Sequence, residues 1–187
     1  IAANDWKSAV HAYCAAGKYE DAFRVSKQKG SEGASNQVAY MWAKSLPMEV
    51  AARLLTKMGL VDNSITFARD SGQFEFALAL CKTTGKAADE VHYKIALSLE
   101  DEGKFIEAEN EFLLANKPRE AIMMHVHGGD WKSALKIAEK FVPEAVNEVL
   151  INQANAALEA RNYHDYETLL IRAERADLII NHYKEYN

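Results

Sequence analysis

Two cysteines, six histidines and 27 acidic residues are the side chains of this 187-residue chain that could carry chemistry. Their spacing argues against most of it. Cys14 and Cys81 form no CxxC pair, which predicts separate buried thiols in a reducing compartment rather than a metal or redox centre. His125 and His127 are two residues apart, so a helix points them in different directions and denies them a shared metal. His11, His92, His164 and His182 are scattered, as surface or core histidines of a repeat would be. No glycine-rich loop follows a strand-like run, and no Ser, His and Asp set falls in a recognisable motif. The expectation is no catalytic residue, no metal and no cofactor.

The elements that would have to position any site are legible from a recurring phrase: a turn residue, a polar residue, an aromatic, two more residues and usually Ala. It reads Asn4-Asp5-Trp6-Lys7-Ser8-Ala9 and Gly17-Lys18-Tyr19-Glu20-Asp21-Ala22. It returns at Gly72-Gln73-Phe74, Gly103-Lys104-Phe105 and Gly129-Asp130-Trp131, with a weaker copy at Asn162-Tyr163. Phe105, Pro118 and Trp131 stand 13 residues apart, as do Trp6 and Tyr19. Such a step fits a helix of roughly 10 residues and a two- to three-residue turn. Longer helices are expected near 88–102 and 144–160. The predicted fold is an all-α, tetratricopeptide-like solenoid of about 12–13 antiparallel helices, right-handed in its superhelix, with 1–187 a single segment of the array. Trp6, Tyr19, Phe74, Phe105, Trp131 and Tyr163 are its expected structural repeat positions, and Trp131 is expected as a buried staple between hairpins. The turn glycine fits a left-handed C-terminal backbone, Asp5 and Asp130 can cap helices, and Pro118 is at home in a first turn.

The faces and composition agree. Phe105, Ala108, Phe112 and Ala115 make one stripe; Trp131, Ala134, Leu135, Ala138 and Phe141 make another. The 144–160 segment is apolar on more than one face, as is the helix around Phe74, Leu78, Leu80 and Cys81, so both pack between layers. Hydrophobic residues make up 49% of the chain and only 3 prolines occur, which argues against disorder. The apolar runs are too short to span a bilayer. Net charge is −5 with no dense basic stripe, which speaks against nucleic acid. Glu100, Asp101, Glu102, Glu107, Glu109 and Glu111 form an acidic stretch, read either as a solvated face or as a dock for a basic partner. The first residue is Ile and the phrase is already running at Asn4, so the chain is expected to be cut from a longer one.

One stretch is more specific than the phrase. Leu99-Glu100-Asp101-Glu102-Gly103-Lys104-Phe105-Ile106-Glu107-Ala108-Glu109 runs on through Ala115-Asn116-Lys117-Pro118-Arg119-Glu120-Ala121 to Val126-His127-Gly128-Gly129-Asp130-Trp131. With Val38–Leu46, Ala52–Leu55, Leu169–Arg175 and His182–Glu185, it resembles the helical repeat region of the intraflagellar transport protein 172 family. The resemblance covers nearly the whole chain. It implies a ciliary protein with N-terminal β-propellers and a long α-solenoid, a subunit of complex B of the train that kinesin and dynein move along axonemal microtubules. It further implies bridging surfaces near complex A, a role in turnaround at the ciliary tip, and a place in the cilium or flagellum and basal body on the cytoplasmic side. Expected partners are other intraflagellar transport proteins; self-association is an open possibility. The family pattern supplies no catalytic residue here. Lys86-Ala87-Ala88 lacks the aromatic, and Tyr166 stands where Ala is expected. Two other classes compete: a coatomer-like vesicle coat scaffold, and an enzyme whose ionisable groups converge in a closed pocket.

Overall fold

The structure, a computed structural model, describes residues 5–185. Those residues form thirteen α-helices, one 3-10 turn and no strand. The helices are α1 Asp5–Ala15, α2 Tyr19–Lys29, α3 Glu32–Lys44, α4 Met48–Met58, α5 Val61–Asp70, α6 Phe74–Thr84 and α7 Asp89–Asp101. They continue as α8 Phe105–Leu114, α9 Pro118–His127, α10 Trp131–Phe141, α11 Val146–Glu159, α12 Tyr163–Arg172 and α13 Ala176–Glu185, with the 3-10 turn at Pro143–Ala145. The two long helices foreseen are α7 and α11; α3, also 13 residues, carries no phrase that marks its length.

The phrase proves to be a turn. Three-residue links end α1, α5, α7, α8, α9, α11 and α12, and the middle residue of each is left-handed: Gly17, Gly72, Gly103, Asn116, Gly129, Arg161 and Glu174. The N–H of the third link residue then reaches back to a carbonyl near the helix end, as Lys104 does to Leu99 at 2.8 Å and Asp130 to His125 at 2.9 Å. This is the Schellman closure, which satisfies carbonyls the ending helix cannot pair itself. The residue after the link opens the next helix. At the weaker copy the register differs by one from the reading of Asn162 as the turn residue. Arg161 takes the left-handed position at φ 59°, and Asn162 caps α12 by accepting from the Asp165 N–H at 3.2 Å. A further copy, Arg172 to Ala176, has no aromatic or glycine and so was silent in the sequence. Asn4 lies outside the described residues.

In five helices the alanine of the phrase is its fixed point, whereas Ala9 in the first copy is half-buried. Ala22, Ala77, Ala108, Ala121 and Ala134, each three residues into its helix, are 0% exposed. The small side chain lets the neighbouring helix approach closely, and the hydrophobic stripe follows from there. Tyr166 occupies the same position in α12 and is also buried, its ring edge-on to His182 at 5.5 Å.

The chain divides into two compact units, residues up to Lys94 and residues from Ile95, so the division falls within α7. In the first, consecutive helices pack on one another, α3 also packs on α5, and α4 on α6. A core of Ala43, Ala51, Ala52, Leu55, Val61 and Leu80 joins α3 to α6. At the α2–α3 turn, Gly30 permits a close approach: a Cβ there would meet the Ser26 carbonyl at 2.6 Å and the Trp6 ring at 2.8 Å. In the second unit α9 packs on α10 and α11, and Ala154, Tyr166 and Leu170 centre a core shared by α11, α12 and α13. No helix among the described residues is long and apolar enough to cross a membrane.

Candidate functional site

The six repeat positions lie at the rims of the helix packing. Trp6, Tyr19, Phe74 and Trp131 are half-buried, while Phe105 and Tyr163 are 46% and 48% exposed. Trp131, expected as a buried staple, instead walls an open groove with Ala156, Ala157, Ala160 and Leu169. A first-turn residue leans toward the N-terminal end of its helix, over the link, so its ring only partly enters the interhelical layer.

The residues that could do chemistry are dispersed. Cys81 is buried and its Sγ lies 3.5 Å from the Ala87 carbonyl; Cys14 is half-buried. Burial pushes both thiols up, away from the reactive thiolate. Among the described residues no three His, Cys, Asp or Glu side chains are placed to hold a metal. His127 is exposed, whereas His125 is 6% exposed. Its Nε2 pairs with Glu109 Oε2 at 2.8 Å, and its Nδ1 lies 3.7 Å from Asp130 Oδ2. Asp130 in turn accepts from the Ser133 N–H at 3.1 Å and caps α10. One buried imidazole therefore ties α8 to α9 and to the start of α10, which satisfies an otherwise costly buried polar group. The acidic stretch is divided by this contact: Glu109 faces inward, Glu102 pairs with Lys104 at 2.6 Å, and Asp101 and Glu107 stay on the surface.

A groove of about 590 Å³ lies between α3 and α5, in the first unit. Asn36 and Gln37 line it from α3, and Asn63, Thr66, Phe67 and Asp70 line it from α5. Phe67 is 40% exposed and its ring rests 4.7 Å from that of Tyr40, which stands edge-on to Phe76 at 5.7 Å. Tyr40 is 5% exposed, and its hydroxyl is the buried side-chain polar atom left without a partner among the described residues. Sequence reasoning missed this groove, whose lining comes from two helices separated by a third and contains no repeated phrase.

Short alternating helices joined by Schellman turns, with packing between neighbours and next neighbours, define a helical repeat protein of the tetratricopeptide type. The tetratricopeptide-repeat domain family shared by intraflagellar transport proteins 140 and 172 matches residues 2–185, and the chain belongs to that family. It is 66% identical over 185 residues to the intraflagellar transport protein 172 homolog of Drosophila melanogaster, covering 99% of this chain and 10% of that protein. The Mus musculus homolog is 48% identical and intraflagellar transport protein 172 of Chlamydomonas reinhardtii 44%, each over 186 residues, 99% of this chain and 11% of the relative. The chain thus spans about a tenth of the length of these curated relatives.

Proposed function

We propose that residues 1–187 are one segment of a repeat array that serves as a protein-binding scaffold in the intraflagellar transport train. The segment acts by shape and surface rather than by turnover, within a complex B subunit of the cilium or flagellum. Its partners are other intraflagellar transport proteins, including complex A subunits at the junction of the two complexes, and it supports train assembly and cargo attachment. The observation that carries this reading is similarity along 99% of the chain to relatives named intraflagellar transport proteins, from a fly to a green alga. The fold supports it, because short helices packed on neighbours and next neighbours leave helix faces open to another chain. The groove between α3 and α5 is open and lined by carboxamides, a hydroxyl and an aromatic ring. The test is in-frame removal of residues 1–187 from the full-length protein in a ciliated cell. Trains should then fail to assemble or to return with normal composition; trains of normal composition and movement would sink the reading.

A further inference from the structure

We propose that the outward face of α8 docks an amphipathic helix of a partner protein whose apolar stripe is bordered by lysine or arginine. The inference rests on the scaffold reading and gives it one surface. Among the described residues Ile106 is the most exposed large hydrophobic side chain, at 75%, and Leu114 on the same helix is 58% exposed. Ile106, Asn110, Leu113 and Leu114 fall at i, i+4, i+7 and i+8, so they form one stripe about two turns long. It lies opposite the buried stripe of Ala108, Phe112 and Ala115. Thus α8 is apolar on two faces, and the described residues cover only one. Asn110, in the middle of the outward stripe, donates its Nδ2–H to the Ile106 carbonyl at 3.0 Å. That commits its donor to its own helix, and the stripe offers chiefly apolar contact. Single apolar side chains on a surface need no explanation, but a contiguous stripe of them marks an interaction surface. A helix laid along it, with its side chains interlocking, is the occupant that matches its shape.

Charge selects which helix. Glu107 borders the stripe: it follows Ile106 and stands seven residues before Leu114, on the same ridge. It is exposed and makes no hydrogen bond or ion pair among the described residues. Lys104 attracts it, but Lys104 is itself held by Glu102 at 2.6 Å. Asp101, exposed at the end of α7 beside the link that opens α8, also makes no ion pair there. On the other border Glu109 is turned inward to His125, which leaves the exposed Phe105 ring at that side. The negative border is therefore one-sided. A lysine or arginine on the facing helix lays its stem on Leu114 and its charge beside Glu107. A second copy of this chain, at net charge −5, meets like charge there instead.

Helical peptides displayed on phage, randomised along one face and its borders and selected on the 187-residue chain, test this. Enriched peptides should pair an apolar stripe with Lys or Arg on its border. A synthetic copy should bind Ile106→Ser/Leu114→Ser roughly tenfold more weakly than the unaltered chain, as expected for loss of two aliphatic contacts. Glu107→Gln should bind more weakly at low salt, and the difference should close as salt rises. Ile171→Ser, which alters an exposed isoleucine of α12, should bind normally, and circular dichroism should show every variant equally helical. No enrichment, an acidic border, or affinity unchanged in Ile106→Ser/Leu114→Ser would overturn the proposal. So would sedimentation showing that the chain dimerises and that Ile106→Ser/Leu114→Ser makes it monomeric, because the face would then belong to a second copy. In-frame removal of the whole segment tests the scaffold, whereas these variants test only one face of α8, so failure of the second leaves the first standing.

Discussion

Phe105 and Phe112, one stripe of α8, show how far residue type alone misjudges a side chain's energetic weight. Phe112 is 1% exposed and Phe105 46%. Phe112→Ala should therefore cost about 3–5 kcal/mol, while Phe105→Ala should cost roughly 1–2 kcal/mol, measured by urea denaturation. Asp130 makes a different residue-scale case. The Ser133 hydroxyl, then its backbone N–H, and more weakly His125 hold the Asp130 carboxyl below the usual carboxylate range. A depressed folded-state pKa contributes stability that is present above the unfolded value of about 3.9 and is lost as pH falls through the folded value. Asp130→Asn keeps a capping oxygen but has no charge to lose. Its acid limb should be shallower than that of the unaltered protein, whereas Asp130→Ala should lose about 1 kcal/mol of cap at neutral pH. Equal acid limbs for the unaltered chain and Asp130→Asn would dismiss the charge contribution.

At the scale of the element, the recurrent link carries its own strain pattern. Gly17, Gly72, Gly103 and Gly129 place glycine at positive φ, but Asn116, Arg161 and Glu174 take φ 56°, 59° and 57° with a side chain attached. A non-glycine residue in this region is disfavoured by roughly 1–2 kcal/mol, partly offset by the entropy glycine loses on folding. Arg161→Gly and Glu174→Gly should each stabilise by about 0.5–1 kcal/mol. Gly103→Ala should destabilise by about 1 kcal/mol, from backbone alone, since nothing lies within 4 Å of an added Cβ. Thermal melts of the three variants decide the matter by sign. These turns also explain why helix boundaries were readable: closure and first-turn residues are fixed by neighbours a few positions apart. The copy through Glu174 escaped because its geometry is the same while its residue types are not.

For the whole molecule, stability in a repeat protein is close to a sum of local terms. Leu55 is 0% exposed in the core shared by α3, α4, α5 and α6. Leu55→Ala should cost about 2–5 kcal/mol there. Hydrogen exchange should show protection falling across those helices and persisting in α11, α12 and α13, whose core of Ala154, Tyr166 and Leu170 is separate. Uniform loss of protection along the chain would contradict local additivity.

The amino-acid sequence by itself determined the helical class, the short period, most helix starts and the family, because turns, caps and stripes are encoded within a few residues of one another. Tertiary structure alone decided which of those residues carry weight. The phrase's aromatic stays at the rim while its alanine is buried in α2, α6, α8, α9 and α10, and Tyr166 is buried in alanine's place. His125 finds Glu109 sixteen residues away across a helix–helix contact. Asn36 and Gln37 share a groove with Asn63 and Thr66 only because α3 packs on α5 with α4 between them in sequence. The physical reason is the same in each case: contact between helices depends on how their ridges settle against one another, and no spacing within a single helix records that.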